Sequence, residues 1–205
     1  MLARTRVLYT AGLIMMCAAL PRPTIAQDST ITRELRRLLE ADQNVPYPEN
    51  VPADSAKRVA FFTAEWNKHF KPRHDRVTEI IRQGLLRSGE DYFIAGMIYN
   101  HGIKPEDNLV AHALLTIAAM KEYPEALRGS AAALDNYLTS ICKPQLFGTV
   151  YGDPRVVMGE PMTDALRSQF CVPGMAKQRE LAEYLRAGRR ARFDREKVVC
   201  APRAP

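Results

Sequence analysis

The sequence predicts a mainly α-helical protein with one small β-hairpin. Apolar residues recur at helical spacing along most of the chain, and only residues 144–158 combine strand-like runs with a turn signal. Small residues are dense in the central segment, where they allow neighbouring helices to approach closely. These observations together favour a helical bundle with the hairpin added near its C-terminal end.

Residues 1–26 have the layout of a cleaved export signal. Arg4 and Arg6 precede an apolar run over residues 7–20, and "PRPTIA" offers small residues for cleavage near Ala26. A transmembrane anchor is the competing interpretation, but the run is shorter than the roughly 20 apolar residues that span a bilayer. We therefore expect an exported protein, periplasmic or secreted after cleavage.

The remaining chain is long enough for one domain with its own core. The expected layout is an N-terminal helix and proline-rich linker over residues 27–53, a helical domain over residues 54–188, and a basic tail over residues 189–205. The formal charge of the whole chain is +6, but three of its arginines belong to the leader. The tail is interpreted as a solvated charge run, with weak attraction to an anionic envelope surface as the alternative.

Three amphipathic helices are predicted before the centre of the chain. The first covers residues 28–43, the second follows Asp54 and ends before Pro72, and the third continues to about residue 86. Their apolar faces are, in order, Ile31, Leu35, Leu38 and Leu39; Val59, Phe62, Trp66 and Phe70; and Val77, Ile80, Ile81 and Leu85.

Three further helices are predicted at the centre, over residues 91–101, 106–120 and 124–141, with short connections. The pattern then changes. "PQLFGTVY", the turn signal "GDPR" and "VVM" predict the two-stranded hairpin, and "TDALRSQF" and "PGMAKQRELAEYLRAG" predict two last helices.

Three cysteines remain after leader cleavage, and an exported protein can form disulfides. We expect Cys142 to pair with Cys171, because the predicted hairpin between them returns the chain toward its start, and Cys200 to stay free. Three reduced thiols are the alternative. The cysteine and histidine spacing matches no structural zinc motif.

Two resemblances arise in the central segment. The pattern resembles a Sel1-type helical repeat at Tyr92, Gly96, Tyr99, Gly102, Asp107, Ala111, Ala118, Ala119 and Ala126. Residues 73–185 are also similar to an uncharacterised bacterial family, a domain of unknown function. Its motifs stand here as His101-Gly102, Ala111-His112, Asp135-Asn136-Tyr137 and Pro144-Gln145-Leu146-Phe147-Gly148-Thr149-Val150.

The resemblance implies a helical fold and assigns no activity. This chain departs from the family pattern at two positions, with Asn136 in place of an arginine and Val150 in place of a glutamine. If the family uses that arginine and that glutamine in catalysis, this chain has an altered catalytic site.

Helix geometry predicts where polar residues of these motifs meet. His112 lies about 9 Å along its helix and Asp135 about 16 Å along the returning one, so the two are expected at similar height. The loop after residue 141 then emerges at the same end of the bundle as His101. We expect a polar pocket there, formed by His101, His112, Asp135, Lys143, Gln145, Gly148 and Thr149.

Three interpretations of this cluster remain open. In the first, His112 and Asp135 hydrogen-bond to each other to satisfy polar groups in the core, and the segment around Gln145 is exposed to a ligand. It is a ligand pocket formed by His101, Lys143, Gln145, Gly148 and Thr149. It is a catalytic site with His112 as base, Asp135 as its orienter and Thr149 or water as nucleophile. His101, His112 and Asp135 are also weak candidates for a metal site.

The function expected from these observations is binding: an exported scaffold module for an envelope or extracellular protein or ligand. A hydrolase or metal site that uses His112, Asp135 and His101 is the alternative. We expect no cofactor, since no phosphate loop or dinucleotide motif is present, and no nucleic-acid partner.

Overall fold

The computed structural model describes residues 30–46, 50–151 and 162–186, and these residues form a mainly α-helical protein as predicted. The leader and the basic tail lie outside them. No helix in these ranges is both long and apolar enough to cross a membrane. The helices are α1 (Thr30–Gln43), α2 (Ser55–His69), α3 (Lys71–Arg82), α4 (Gly89–Tyr99), α5 (Pro105–Met120), α6 (Ala126–Ser140), α7 (Asp164–Gln169) and α8 (Met175–Arg186).

The core forms around α4, whose sequence is apolar on most sides. It packs against α1, α3 and α5, and α6 packs mainly against α5. Burial of apolar side chains supplies the main driving force for this arrangement. The most completely buried apolar side chains of this core are Leu35, Val77, Ile80, Ile94, Ile98 and Leu115.

Glycine allows three helices to close around Leu115. A Cβ atom at Gly96 of α4 would lie 2.6 Å from Cγ of Leu115, and one at Gly129 of α6 would lie 3.1 Å from its Cδ2. Leu115 is therefore held between α4 and α6 with no room for a methyl group at Gly96. The predicted role of the small residues in close helix packing is confirmed at these positions.

The N-terminal helix belongs to the same core as the rest of the bundle, although the sequence placed it in a separate segment. Leu35 is fully buried, and the hydroxyl of Thr32 donates to Oδ1 of Asp91 at 2.7 Å. Oδ2 of Asp91 accepts the backbone N–H groups of Arg87 and Ser88, each at 2.9 Å. Burial raises the pKa of Asp91, but these hydrogen bonds from Ser88, Thr32 and Arg87 outweigh it and hold the pKa below its ordinary value.

α2 is attached to the body through its C-terminal half. Asp54 caps its start by accepting the backbone N–H of Lys57 at 2.9 Å. Trp66 is partly buried near the helix end, whereas Val59 is 69% exposed and Phe62 is 39% exposed. The apolar face predicted for this helix therefore packs only where α2 meets α3 and the end of α4.

The predicted β-hairpin is wrong in its first arm: residues 144–151 form a loop without strand structure. A strand pairs its backbone N–H groups with a neighbouring strand. Here the N–H groups of Leu146, Phe147 and Thr149 donate to the side chain of Asp135 instead. The second arm, from residue 152 onward, lies outside the described residues.

The predicted disulfide is also wrong. Cys142 is a free, exposed thiol, whereas Cys171 is disulfide-bonded. Cys171 is buried and follows directly on α7. Its bonding partner lies outside the described residues. The expected pairing relied on a hairpin to return the chain, and the loop that replaces the first arm does not bring the two cysteines together.

Candidate functional site

The structure separates the predicted site residues into different surroundings. His101, just beyond the end of α4, meets Asp42 of α1, whereas the loop residues Gln145 and Thr149 are held within their own loop and by Asp135. His112 contacts Ser130 of α6. The single polar pocket expected at the end of the bundle is therefore wrong.

Asp135 organises the loop after α6. Its carboxylate is completely buried and accepts four hydrogen bonds. Three come from the backbone N–H groups of Leu146 at 2.7 Å, Phe147 at 2.9 Å and Thr149 at 2.8 Å, and the fourth comes from the Thr149 hydroxyl at 2.8 Å. Because its oxygens are occupied in this way, Asp135 does not orient His112, and the predicted catalytic pair is not formed.

Gln145 completes the same loop. Its side chain is 1% exposed, donates to the backbone oxygen of Val150 at 3.0 Å and accepts the backbone N–H of Val150 at 2.8 Å. Gly148 is buried with a φ of 81°, a left-handed conformation that favours glycine. The segment expected to face a ligand is therefore buried structure, and only Lys143 of the predicted ligand-binding set is exposed there.

The loop also holds the last two described helices. The backbone oxygen of Phe147 accepts Nε of Arg167 from α7 at 3.3 Å and Nε2 of Gln178 from α8 at 2.9 Å. Phe147 itself packs with Ala131 and Val172 in a small apolar cluster. The motif around Gln145 thus has a structural role: it connects α6 to α7 and α8.

His112 is a contact between two helices. Its Nδ1 lies 2.9 Å from both the backbone oxygen and the hydroxyl of Ser130. The Thr116 hydroxyl lies 3.0 Å from the same Ser130 hydroxyl. This network joins α5 to α6 at a partly buried position. Nearby, the side-chain amide of Asn136 donates to Asn100 at 3.0 Å and links α6 to the end of α4.

Asp42 and His101 form the most distinctive polar arrangement of the described chain. Oδ2 of Asp42 lies 2.5 Å from Nδ1 of His101. The Asp42 side chain is 1% exposed, whereas that of His101 is 36% exposed. An ionised carboxylate only accepts hydrogen bonds, so Nδ1 carries a proton, and in the neutral form of the imidazole Nε2 is the acceptor. No described residue hydrogen-bonds to Nε2.

Aromatic groups position His101 from two further directions. The indole N–H of Trp66 donates to the backbone oxygen of His101 at 2.9 Å. The ring of Phe70 meets the imidazole edge to face, with 5.9 Å between centroids. An imidazole held at its backbone, its ring and one nitrogen has little freedom to turn. We call the group Asp42, Trp66, Phe70, Arg73 and His101 the Asp42–His101 site.

Arg73 supplies the positive charge of this site. Its Nε lies 3.5 Å from Oδ1 of Asp42, and its guanidinium carbon lies 5.3 Å from the centroid of Phe70. The first distance marks an ion pair without hydrogen-bond geometry, since Asp42 Oδ1 and Arg73 Nε have no hydrogen-bond partner. Arg73 therefore balances the buried carboxylate by charge, while His101 and, at 3.3 Å, the side-chain amide of Gln43 hydrogen-bond to Oδ2 of Asp42.

His74 and Asp107 form a second pair of a histidine and a carboxylate near this site. Nε2 of His74 is 3.4 Å from Oδ1 of Asp107, and its ring centroid is 4.3 Å from that of Tyr99. The two side chains are 14% and 13% exposed. Oδ2 of Asp107 accepts the backbone N–H of Lys104 at the start of α5. This pair is enclosed, and it joins α3 to α5 as a structural contact.

Four members of the Asp42–His101 site were absent from the predicted set, although the sequence carries a signal for the most important one. Asp42 follows Leu35 by seven residues and Leu39 by three, so it lies on the apolar face of the amphipathic helix α1. A carboxylate on a buried face needs a partner. Arg73 carries no comparable signal, because arginine is common on helix surfaces. Trp66 and Phe70 were predicted only as members of the apolar face of the second helix, which does not indicate a site.

The site does not bring together metal ligands. In residues 30–46, 50–151 and 162–186, no group of three or more His, Cys, Asp or Glu side chains is placed to hold a metal ion. His101, His112 and Asp135, the weak candidates from the sequence, bind Asp42, Ser130 and the 146–149 backbone respectively. The fold and this site define a helical protein with one oriented, half-exposed histidine.

Comparison with known proteins identifies no relative of this chain. No protein-family model, curated protein or solved structure matches the chain. The resemblances to the uncharacterised bacterial family and to Sel1-type repeats therefore stay predictions from the sequence.

Proposed function

We propose that this protein is an exported binding module and that its ligand docks at the Asp42–His101 site. The observation that carries the proposal is the state of His101. Its imidazole is partly exposed and fixed by Asp42, Trp66 and Phe70, yet Nε2 has no hydrogen-bond partner among the described residues. A fixed and accessible hydrogen-bonding atom beside an aromatic ring is what a polar ligand site requires.

The chemistry of the site selects the ligand class. With its proton on Nδ1, His101 presents an acceptor at Nε2, so the ligand contributes a hydroxyl or amide N–H donor. Phe70 offers an apolar surface beside it. Peptides and glycans of the cell envelope carry both kinds of group. We propose a peptide or glycan of the envelope or extracellular space as the partner.

Export is part of this proposal. The basic and apolar leader over residues 1–26 supports it, and so does the disulfide at Cys171, since disulfides persist in oxidising compartments. We expect the protein in the periplasm or the medium with its N-terminus near Gln27. Cell fractionation followed by N-terminal mass analysis tests this. Recovery from the cytoplasm with the leader intact contradicts it.

Binding is tested by capture from the native envelope with matched variants as bait. His101→Asn keeps an N–H donor near Asp42 and removes Nε2, so we expect the fold to persist and the captured ligand to be lost. His112→Asn changes a histidine whose imidazole hydrogen-bonds to Ser130 of α6, and it serves as the control that retains binding. Equal capture by the parent and His101→Asn contradicts the assignment of the site.

A hydrolytic enzyme is the second candidate, and the Asp42 contact specifically favours it. A carboxylate on Nδ1 fixes the tautomer in which Nε2 takes a proton from water as the oxygen attacks a carbonyl carbon. The imidazolium then returns the proton to the leaving group. His101 and Asp42 replace His112 and Asp135 in this mechanism.

The hydrolytic candidate is tested with a panel of peptide, ester and glycoside substrates. We expect a true activity to fall about 100-fold or more in His101→Asn, the usual range for loss of a general base, and to persist in His112→Asn. Rates that match in the parent and His101→Asn contradict the enzyme and leave binding as the function of the site.

A further inference from the structure

α5 carries apolar residues on both its inner and its outer face, but only the inner face is covered. The inner face is buried at Ala111, Leu114, Leu115, Ala118 and Ala119. The outer face is exposed and contains one polar residue, Thr116. We call its apolar residues the outer stripe: Leu109, Val110, Ala113, Ile117 and Met120.

The outer stripe is continuous along the helix. Met120 is 78% exposed, Leu109 and Val110 are each 39% exposed, and Ile117 is 36% exposed. Leu109, Ala113, Ile117 and Met120 follow one another at a spacing of three or four residues, and Val110 lies beside them, so the stripe runs over about 16 Å of helix. A contiguous exposed apolar surface of this kind marks an interaction site.

Two exposed charges of opposite sign flank the outer stripe. Glu106 is exposed in the first turn of α5, Lys121 is exposed directly after its last residue, and the exposed positions between them are uncharged. Lys104 and Glu122 are exposed just beyond these two residues. At 1.5 Å per residue, Glu106 lies about 10 Å before Ala113 and Lys121 about 12 Å after it. A second copy of the helix, run in the opposite direction, would place each Glu106 opposite the other copy's Lys121.

We propose that the outer stripe binds a second copy of this chain through antiparallel pairing of the two α5 helices. A two-fold axis near Ala113 brings each stripe against itself, which is the commonest way in which identical chains pair. Ala113 is small, so the two helix backbones approach closely at the crossing. Antiparallel helix dipoles also favour this direction.

A parallel pairing is disfavoured by the same charges. It would place Glu106 against Glu106 and Lys121 against Lys121, and like charges in contact oppose association. Lys121 now lies over the ring of Tyr92, with Nζ 5.8 Å from the centroid. This exposed contact is weak, and the long side chain is free to turn toward a glutamate of the second copy.

The interface is small, so the dimer should depend on concentration. One pair of helices lies at the low end of specific protein interfaces, where association is transient. We expect dissociation constants in the micromolar range. The proposal is independent of the Asp42–His101 site, because Asp42, Trp66, Phe70, Arg73 and His101 all lie outside α5.

Sedimentation velocity of the purified chain from about 2 μM to about 500 μM tests the pairing. We expect the monomer to convert to a dimer across this range. Ala113→Glu puts two like charges at the crossing point and should weaken dimerisation at least about 30-fold. Lys143→Glu, on an exposed loop away from α5, is the control and should leave the dissociation constant unchanged.

Charge reversal tests the direction of the helices. Glu106→Lys and Lys121→Glu should each weaken the dimer roughly 3-fold to 30-fold, and the double variant should restore it. A chain that stays monomeric throughout, a dimer insensitive to Ala113→Glu, or a double variant no better than the singles overturns the proposal. Binding of the monomer to anionic lipid vesicles through the stripe, lost in Ala113→Glu, also overturns it and assigns the stripe to a membrane surface.

Discussion

Asp42 and His101 meet at 2.5 Å, although 59 positions of the sequence separate them. The contact joins α1 to the end of α4 and leaves one nitrogen of the imidazole without a protein partner in the described chain. It places a buried carboxylate beside a partly exposed ring. If the proposed function is right, loss of this hydrogen bond should reduce both the stability of the protein and its ligand binding.

Replacement of Asp42 tests the structural part of this contact. Asp42→Ala leaves Arg73 without its carboxylate and Nδ1 of His101 without its acceptor, so we expect a loss of roughly 2 to 4 kcal/mol in the free energy of unfolding. Asp42→Asn keeps an acceptor and should cost less. Urea unfolding of the two variants measures the difference, and an Asp42→Ala variant as stable as the parent contradicts the geometry.

The loop after α6 should be sensitive to substitution at its buried polar residues. Asp135→Ala removes the acceptor of four hydrogen bonds and should cost at least about 3 kcal/mol. Gln145→Ala removes two hydrogen bonds and should cost roughly 1 to 3 kcal/mol. Thermal melts beside exposed Lys143→Ala, for which no change is expected, check the ranking. An unchanged melting temperature in Gln145→Ala means that this segment is exposed.

Asp91 should make the protein sensitive to acid. Its folded pKa lies below the ordinary value of 3.8, so the stability that it contributes is complete above about pH 5 and is lost as pH falls through the folded pKa. Asp91→Asn should be less stable at neutral pH and should lose less stability than the parent between about pH 5 and about pH 2. Urea unfolding at several pH values measures this, and parallel curves for the two proteins would refute it.

Gly96 should tolerate no side chain. Gly96→Ala places a methyl group 2.6 Å from Leu115 between α4 and α5, so a helix must move and we expect a loss of roughly 1 to 3 kcal/mol. Gly129→Ala meets Leu115 at 3.1 Å and gains helix propensity, so it should be closer to neutral. Equal stability of the two variants in chemical denaturation contradicts the packing around Leu115.

The cysteines should differ in reactivity without reduction. Cys142 is exposed and free, so alkylating reagent should modify it in the native protein, whereas Cys171 should react only after reduction. Peptide mass analysis of the native, alkylated sample distinguishes them. A peptide that links Cys142 to Cys171 would contradict the structure and restore the pairing predicted from the sequence.

Local patterns predicted the helices well because their information is local. The apolar spacing of Ile31, Leu35, Leu38 and Leu39 predicts α1, and all four pack in the core. The helix predicted over residues 91–101 is α4, which begins at Gly89, and Ser88 and Asp91 form a capping box at its start. The strand prediction for residues 144–151 was wrong because β-branched and aromatic residues are typical of strands. The acceptor that takes the backbone N–H groups instead, Asp135, lies on another element and is not visible in the local pattern.

The sequence by itself determined the helical class, the order of the helices and the need for close packing at Gly96, because each depends on residues a few positions apart or on side-chain size. Only the tertiary structure decided the partners of the polar groups. Asp135 binds the loop and His101 binds Asp42 because buried polar groups take the nearest donor or acceptor in space. Helix rotation and crossing set which one is nearest, and spacing along a single helix carries no information about either.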